Sequence, residues 1–417
     1  MRFIADLEVH SPYARAVSPQ MTLENLALWA KKKGILVLGT GDITHPLWFQ
    51  EIKTKLEPGE PGLFRLRGSD LETRFLLSGE VSCIYSKAGK VRRVHHLVYF
   101  PTLEAAEKAN ARLGWIGNLK ADGRPMLGLD SKELLKIVLD ASPESALIPA
   151  HIWTPWFGLL GSKSGFDSLE ACFDELAPQV FAIETGLSSD PPMNWRVPFL
   201  DEKAIISGSD AHSLHRLGRE AMLFDTELSY RAIMEAIRHS QCQEFVATVE
   251  FFPEEGKYHY DGHAACGVRL TPQETKREAG HCPRCGKQVT VGVMARVEEL
   301  AAPNRPLGFA PAWGKKYYNF VPLDEVIAAT LGVRTNSKAV WRAYDAVIQS
   351  LGSEFNALLF ASEDTLRSQI HPGIAEGLIR MRNGKVKIEA GYDGTYGKVS
   401  LFDESERANL GVQKSLF

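Results

Sequence analysis

Several hallmarks of other protein classes are missing from this sequence of 417 residues. It has no uninterrupted run of about 18 apolar residues, which excludes an ordinary membrane-spanning helix. Residues 1–6 reach an aspartate too soon for a signal peptide, so we expect a cytoplasmic protein without a membrane partner. The formal net charge is −3, so any contact with nucleic acid must come from local basic patches and not from an overall positive field.

Two further absences narrow the chemistry. No glycine-rich loop with the spacing of a dinucleotide or phosphate site occurs, which argues against a redox or nucleotide-dependent enzyme. Cysteine is scarce: the chain has six, of which three lie between Cys266 and Cys285. This clustering favours a reduced compartment and a metal site over a disulfide framework. The hydrophobic content of 44% is nevertheless ample for buried cores, and the length predicts two or three domains.

The sequence does contain a series of short apolar runs, each followed at once by a possible metal ligand. The first run leads into Glu8 and His10, whose spacing points both side chains to one face of an extended strand. A helix pattern follows, with an N-cap at Thr22 and a stop at Gly34. Five more runs end in an acid or a histidine, at Asp42, Glu80, His151, Glu184, and the pair Asp210 and His212.

Strands that alternate with helices predict a parallel sheet, and ligands at the strand ends predict a site at one mouth of a barrel. We count seven strands, including the run 95–100, which departs from the pattern because His95 and His96 stand at its beginning. The prediction is therefore an α/β fold with a seven-stranded (β/α)7 barrel in residues 1–252. Carboxylates and imidazoles buried together are costly unless cations neutralise them, so a multinuclear metal site is predicted there.

A different metal pattern follows in residues 253–302, where the rhythm of strands and helices ends. Two pairs of donors, each with two residues between them, are His263 with Cys266 and Cys282 with Cys285. Each pair presents its donors from one tight turn, and four donors close the tetrahedron of a structural zinc site. His281 and His259 are alternatives to His263 as the fourth ligand. A zinc-binding module is the prediction for this segment.

The strand-end residues together resemble the signature of the polymerase and histidinol phosphatase (PHP) superfamily. This resemblance is carried by Glu8-Val9-His10, Gly41-Asp42, Gly79-Glu80-Val81-Ser82, His96-Leu97, His151 and Ser209-Asp210-Ala211-His212. A narrower resemblance, to the endonuclease Q family of DNA repair enzymes, rests on residues 6–13, 94–97 and 258–263 and on the cysteine pair that follows. The likeness spans nearly the whole chain.

The resemblance implies several metal ions in the barrel and assigns their ligands. One metal would take Glu8, His10, Glu80 and Asp210, a second Glu80, His96 and His151, and a third Asp42 with His212. Asp210, Glu80 and His10 are the implied catalytic residues, and His95 and Glu184 are further candidates beside them. The family usually begins with histidine, any residue, histidine. The Glu8 carboxylate is a harder donor and would shift the preference from Zn2+ toward Mn2+ or Mg2+.

The activity that the resemblance implies is that of a hydrolase, an endodeoxyribonuclease. Such an enzyme cleaves the phosphodiester on the 5′ side of uracil, hypoxanthine, xanthine or an abasic site and leaves 3′-hydroxyl and 5′-phosphate ends. Two other functions remain open. A small-molecule phosphoesterase like histidinol phosphatase would need only the barrel, and a non-catalytic DNA or clamp adaptor would not need so many ligands.

Candidate contacts to DNA lie close to the predicted ligands. Tyr13, Trp153 and Trp156 either stack on a base taken out of the double helix or merely close the barrel mouth. Lys163, and Arg216 with Arg219, are candidate phosphate contacts.

The C-terminal part is predicted to be a small, weakly basic helical domain in residues 303–402. Apolar positions recur at helical spacing over 323–331 and 340–351. Lys315 and Lys316 mark its most basic segment and are candidate contacts to the DNA backbone. In the tail, 403–417, the residues Gln413, Leu416 and Phe417 resemble a peptide that binds the bacterial sliding clamp, although an ordinary frayed tail is the alternative.

Overall fold

The computed structural model describes residues 1–409, and its first 252 residues form a curled sheet with helices packed around it. The elements of this part are, in chain order, β1 (Arg2–Asp6), α1 (Leu23–Lys33), β2 (Ile35–Gly39), α2 (Pro46–Lys55), β3 (Leu56–Pro58), β4 (Phe64–Leu66), β5 (Arg74–Lys87), β6 (Lys90–Phe100), α3 (Leu103–Ile116), β7 (Met126–Leu127), α4 (Ser131–Ala141), β8 (Ala146–Pro149), α5 (Leu169–Phe173), β9 (Ala182–Glu184), α6 (Pro191–Trp195), β10 (Ala204–Ile206), β11 (Ala221–Asp225), α7 (Tyr230–Arg238) and β12 (Phe245–Glu250). Within residues 1–409, no helix has both the length and the apolar content needed to cross a bilayer.

The sheet mixes parallel and antiparallel strands. Its central order is β12-β11-β1-β2-β5-β6-β8, while β9 and β10 pair with each other alone. β1, β2 and β5 are parallel, but β6 runs antiparallel to both of its neighbours and β11 runs antiparallel to β1. The predicted α/β character is thus confirmed, whereas a closed (β/α)7 barrel is not, because the ladders of the described residues do not close into a ring.

Contacts beyond the strand ends bridge these gaps in the ring. Val9, just past β1, makes a single parallel bridge with Ala211, just past β10. The Ile152 backbone N–H donates to the Glu184 carbonyl oxygen at 3.2 Å, which joins the ends of β8 and β9. Single contacts therefore span the gaps between the ladders, at the edge of the sheet where the predicted metal ligands lie.

Helix α1 illustrates how local sequence sets these elements. The Thr22 hydroxyl accepts a hydrogen bond from the Asn25 backbone N–H at 3.4 Å, and Gly34 ends the helix in the left-handed region with φ 85°. Leu23 and Leu26 are fully buried on its inner face. Burial of each such side chain stabilises the fold by roughly 1.5–3 kcal/mol. The predicted limits of this helix are confirmed.

The remaining described residues add helices, two short hairpins and one further strand of the large sheet. Their elements are β13 (Asp261–His263), β14 (Val268–Leu270), α8 (Pro272–Arg277), α9 (Val293–Leu300), β15 (Lys316–Asn319), α10 (Leu323–Leu331), α11 (Lys338–Leu351), α12 (Glu363–Gln369), α13 (Pro372–Arg382), β16 (Lys387–Glu389), β17 (Lys398–Ser400) and α14 (Glu404–Asn409). The two predicted helical patterns appear as α10 and α11. Strand β15 was not predicted; it joins the large sheet at its edge, parallel to β12. The domain limits 252/253, 302/303 and 402/403 stay predictions.

A buried ion pair joins α1 to the C-terminal helices. The Lys33 ammonium lies 2.7 Å from the Glu354 carboxylate, and both side chains are almost completely buried. Lys33 also donates to the His215 carbonyl oxygen at 2.9 Å, and Glu354 accepts hydrogen bonds from the Tyr344 hydroxyl at 2.6 Å and the Leu323 backbone N–H at 3.1 Å. Because every charged atom has a partner, the cost of burying the two charges is compensated.

Removing one member of this pair should therefore be costly. For Glu354→Ala we expect the free energy of unfolding to fall by about 3–5 kcal/mol, because the Lys33 charge stays buried without a counter-ion. Asp345→Ala is the matched control, since it breaks the exposed 3.2 Å pair between Lys32 and Asp345 at the same interface. That control should change stability by less than about 1 kcal/mol. Urea unfolding followed by tryptophan fluorescence measures both; equal losses would contradict the prediction.

Candidate metal centre

The predicted ligands converge just beyond the strand ends, where the backbone takes unusual conformations. Glu8 and His10 follow β1, Asp42 follows β2, and His151 and Asp210 follow β8 and β10. Asp42, His151 and Asp210 have positive φ angles of 43°, 31° and 46°. This left-handed region costs a residue other than glycine roughly 1 kcal/mol or more, and such strain clusters at functional sites.

His10 lies at the middle of the group. Its Nδ1 lies 2.9 Å from Asp42 Oδ1, and its Nε2 lies 2.9 Å from Asp210 Oδ1 and 3.3 Å from Glu80 Oε2. The second Asp42 oxygen accepts hydrogen bonds from the backbone N–H and the hydroxyl of Ser11, both at 2.6 Å. Burial lowers the pKa of His10, but the Asp42 and Asp210 carboxylates outweigh it and raise this pKa well above its ordinary value. Asp42 thus orients the imidazole.

Glu80 is the second hub and contacts four cationic or ligating side chains. Its Oε1 lies 2.7 Å from His95 Nδ1 and 3.2 Å from His151 Nε2. Its Oε2 accepts a hydrogen bond from Arg124 Nη1 at 2.9 Å, next to the contact with His10. Burial raises the pKa of the Glu80 carboxyl, but Arg124 and the histidines outweigh burial, and this pKa lies well below its ordinary value.

Glu8 is buried without any hydrogen-bond partner for either carboxylate oxygen, and Glu184 Oε1 is likewise unpartnered. Burial, followed by the charges of Glu184, Asp210 and Glu80, raises the pKa of Glu8 well above its ordinary value. A buried carboxylate without a donor or a cation is costly. Divalent cations would satisfy these oxygens, and the donor set of carboxylates and imidazoles fits them.

Three groups of side chains have ligand atoms that all lie within 4.8 Å of one another. They are Glu8, Glu80 and Asp210; His10, Asp210 and His212; and Glu80, His95 and His151. The groups share Glu80 and Asp210, so each of these carboxylates belongs to two possible ligand sets. Among the predicted ligands, Glu8, His10, Glu80, His151, Asp210 and His212 are brought together.

His96 and Asp42 differ from the prediction. His96 points to the other face of β6, where its Nε2 lies 2.8 Å from the Ser131 hydroxyl, while His95 faces Glu80. Neighbouring residues of a strand point to opposite faces, so an error of one residue selects the wrong histidine. Asp42 was paired with His212, but it belongs to none of the three groups within residues 1–409 and instead binds His10 and Ser11.

The aromatic side chains near the mouth differ in their exposure. Trp153 was a candidate for DNA contact, but it is buried, and its indole N–H donates to Asn194 Oδ1 at 2.8 Å. It supports the loop from inside. Trp156 is 45% exposed and meets the Tyr258 ring edge-on. Tyr13 is half-buried, with its ring stacked on His45 at a centroid distance of 4.5 Å.

Of the candidate cations, Lys163 and Lys316 are exposed, and Lys316 lies over the Tyr318 ring at 4.6 Å. Lys315 donates to the Cys242 carbonyl oxygen. Arg216 pairs with Glu325 at the base of α10, so its charge is already compensated. The clamp-like residues Gln413, Leu416 and Phe417 lie outside the described residues.

Two arginines reach the site, of which Arg124 was missed from the sequence and Arg219 was a candidate phosphate contact. Arg124 contacts Glu80, as described above. Arg219 donates from Nε to the Ser209 carbonyl oxygen at 2.8 Å and from Nη2 to the Asp210 carbonyl oxygen at 3.2 Å, which holds the strained turn. Arg124 lies outside any ligand-like motif, and its loop approaches the centre only through the fold.

The second predicted metal cluster also assembles. The ligand atoms of His263, Cys266, Cys282 and Cys285 lie within 4.8 Å of one another. His281, one alternative fourth ligand, instead has its Nδ1 at 2.7 Å from the Ala279 carbonyl oxygen, and His259, the other, is not in the group. Burial raises the pKa of Cys282, but backbone N–H groups of the following turn and His263 outweigh it and lower this pKa to about 6. A thiolate is the form that ligates a metal.

Two curated relatives match the chain over long stretches. The uncharacterized protein YqxK of Bacillus subtilis is 31% identical over 417 residues, which cover 95% of this chain and 99% of YqxK. The uncharacterized protein MJ0043 of Methanocaldococcus jannaschii is 32% identical over 308 residues, or 70% of this chain. The match spans only 38% of the length of MJ0043. A family model described as the MJ0043 C-terminal domain matches residues 322–385, which contain α10 to α13.

Two solved structures resemble the whole fold. The lesion-specific endonuclease PfuEndoQ of Pyrococcus furiosus superposes with a TM-score of 0.85 at 30% identity, and the match covers 97% of this chain and 96% of PfuEndoQ. Endonuclease Q in complex with a 27-mer duplex that carries an abasic lesion at the active site superposes with a TM-score of 0.83 at 31% identity. That match covers 97% of this chain and 98% of the other. With nearly complete coverage in both directions, this chain belongs to the endonuclease Q family.

Proposed function

We propose that this protein is a metal-dependent endonuclease that acts on damaged DNA. The observation that carries the proposal is the pair of buried, unpartnered Glu8 oxygens beside Glu80 and Asp210, in a chain that aligns over almost its full length with a lesion endonuclease bound to DNA. The same ligand pattern supports membership of the PHP superfamily.

The residues that would hold the metal ions are the carboxylates of Glu8, Glu80 and Asp210 and the histidines grouped with them. A divalent cation supplies Lewis acidity, which polarises a phosphodiester and makes water a better nucleophile. Three carboxylates favour hard cations, so Mn2+ or Mg2+ competes with Zn2+ for this centre.

Contacts within the protein set the orientation of His212 and the ionisation of Asp210 at this centre. His212 Nδ1 lies 2.8 Å from the Asp210 carbonyl oxygen, so Nδ1 carries the proton and Nε2 is the nitrogen left to ligate. Burial raises the pKa of Asp210, but His10 outweighs it and lowers this pKa to about 2, which keeps the carboxylate ionised. The Asp210 carboxylate is therefore in the form that metal binding needs, and His212 has its Nε2 available.

For the substrate, we propose DNA that contains uracil, hypoxanthine, xanthine or an abasic site, cut on the 5′ side of the lesion. Water adds to phosphorus, the bond to the 3′-oxygen breaks, and that oxygen takes up a proton, which leaves 3′-hydroxyl and 5′-phosphate ends. A modified base must leave the stack to be inspected, and the exposed Trp156 ring beside the ligand loop offers a surface on which it could stack.

Labelled duplexes test the proposal directly. Each contains uracil, hypoxanthine, xanthine, an abasic site or no lesion, and each is incubated with Mn2+ or Mg2+ beside a parallel reaction on histidinol phosphate. We expect a nick only in lesion-containing strands, 3′ ends that a polymerase extends, and no reaction in EDTA. Phosphate release from histidinol phosphate without nicking would instead favour a small-molecule phosphoesterase, and binding without turnover would favour an adaptor.

The role of the shared carboxylate is tested by Asp210→Asn. We expect the single-turnover cleavage rate to fall by about a thousandfold or more, because a carboxylate that belongs to two of the ligand groups loses its charge. Affinity for the lesion duplex, measured by fluorescence anisotropy, should stay within about threefold, since the basic contacts remain. Asp140→Asn is the control, because that aspartate is exposed and pairs with Arg112 away from the centre. Near-normal cleavage by Asp210→Asn would refute the assignment.

For the four-donor cluster, we propose a structural zinc ion. The mixture of three thiol groups and one imidazole fits tetrahedral zinc and leaves no position for substrate. The cluster ties β13 to the turn around Cys282, in a segment with a small core of its own.

Cys282→Ser should therefore release about one equivalent of zinc and lower the melting temperature, because a structural zinc contributes to folding. Cys242→Ser is the matched control, since that half-buried thiol lies outside the cluster. Elemental analysis and thermal melting of both variants measure the effect. A full zinc content in Cys282→Ser would contradict the assignment. Contact of the tail with a sliding clamp stays a prediction.

A further inference from the structure

The metal centre has a buried floor and an exposed rim. Glu8, His10 and Glu80 are each at most 3% exposed and form the floor. Three side chains reach solvent: those of Asp210, His212 and Arg124 are 28%, 32% and 27% exposed. Arg124 thus lies on the solvent-accessible part of the centre, where an incoming phosphodiester can contact it.

Arg124 also places a positive charge next to the carboxylates of the centre. Among the arginines and lysines of residues 1–409, it is the one that forms an ion pair with a carboxylate of the centre, at 2.9 Å from Glu80. Arg219 donates hydrogen bonds to backbone carbonyl oxygens, and Arg216 forms an ion pair with Glu325. The carboxylates of the centre repel a phosphodiester, so a cation on the rim is needed to offset them.

The loop that carries Arg124 is held against the centre on both sides. The Gly123 backbone N–H donates to the Tyr13 carbonyl oxygen at 3.0 Å, and the Ser82 N–H donates to the Pro125 carbonyl oxygen at 3.0 Å. A Cβ at position 123 would lie 2.4 Å from Asp42 Oδ2, so only glycine lets the loop approach this closely. The guanidinium is therefore positioned by backbone contacts and not by Glu80 alone.

From this geometry we propose that Arg124 contacts the scissile phosphate and donates hydrogen bonds to a non-bridging oxygen. A guanidinium has five N–H donors in a fixed fork, and the contact with Glu80 uses one of them. The remaining donors suit the bidentate binding of a phosphate. Arg124 is then a catalytic residue, because charge builds up on those oxygens as the bond to the 3′-oxygen breaks. This inference rests on the proposed function.

The kinetic test compares Arg124→Ala with Arg124→Lys. For Arg124→Ala we expect the single-turnover rate on an abasic duplex at saturating Mn2+ to fall by about a hundredfold or more, the usual cost of a lost charge-stabilising donor. Arg124→Lys keeps the charge without the fork and should recover about tenfold. Arg112→Ala, which removes an exposed arginine paired with Asp140, is the control and should cleave normally.

A binding test separates contact with phosphate from mere support of Glu80. Affinity is measured without divalent metal for two abasic duplexes, one natural and one with a neutral methylphosphonate at the scissile linkage. We expect Arg124→Ala to weaken binding of the natural duplex by about tenfold and of the neutral one by less than twofold, since the charge that Arg124 meets is gone.

Equal losses on both duplexes, or a cleavage rate within threefold of the wild type, would overturn the inference. Metal content by elemental analysis confirms that the centre of each variant still assembles. If the wild-type protein fails to nick any lesion duplex, the proposed function fails. The affinities of the wild type and Arg124→Ala for the natural and the methylphosphonate duplex would then still show whether Arg124 contacts the phosphate.

Discussion

Negative charge concentrated in a space that water hardly reaches is the constraint on which this structure depends. Glu80, Asp42 and Asp210 meet around the His10 imidazole, Glu8 lies beside Glu80 and Asp210, and the backbone at Asp42, His151 and Asp210 is held in strained conformations. No protein tolerates such a cluster for stability alone, because each unpaired buried carboxylate opposes folding. The cations proposed for this centre would neutralise that charge, and the surrounding hydrogen bonds keep the carboxylates and imidazoles at fixed positions.

The buried carboxylates and imidazoles lie at two seams of the sheet, the places where neighbouring strands are not joined by a continuous ladder. The strand ladders of the described residues stop between β8 and β9, and between β10 and β1 the connection is a single bridge. At these seams, ligand-bearing loops take over the hydrogen bonds that a continuous ladder would make. His151 illustrates this, because its backbone N–H donates to Glu184 Oε2 at 2.9 Å across one seam. The loops can thus depart from strand geometry and still be fixed.

Much of this centre was predictable, because apolar runs followed by acids or histidines carry a local signal for Glu8, His10, Glu80, His151 and Asp210. The run that began with His95 and His96 was the exception, and its cause is topological. β6 runs antiparallel to its neighbours, so its beginning lies at the same edge as their ends. Neither this direction nor the inward face of the strand can be read from the apolar residues alone. Arg124 was beyond prediction because a long loop brings it to the site.

The edge position of β15 has a consequence for the chain as a whole. Strand β12 would otherwise end the sheet with a row of free backbone amides and carbonyls, which is a template for self-association. Because β15 lies along β12 in parallel, the polypeptide beyond the cluster of His263, Cys266, Cys282 and Cys285 supplies the strand that covers this edge of β12. Protein shortened to residues 1–252 would expose the edge of β12 and would be prone to aggregate. Strand β15 therefore protects the edge of β12 from pairing with another copy of the chain.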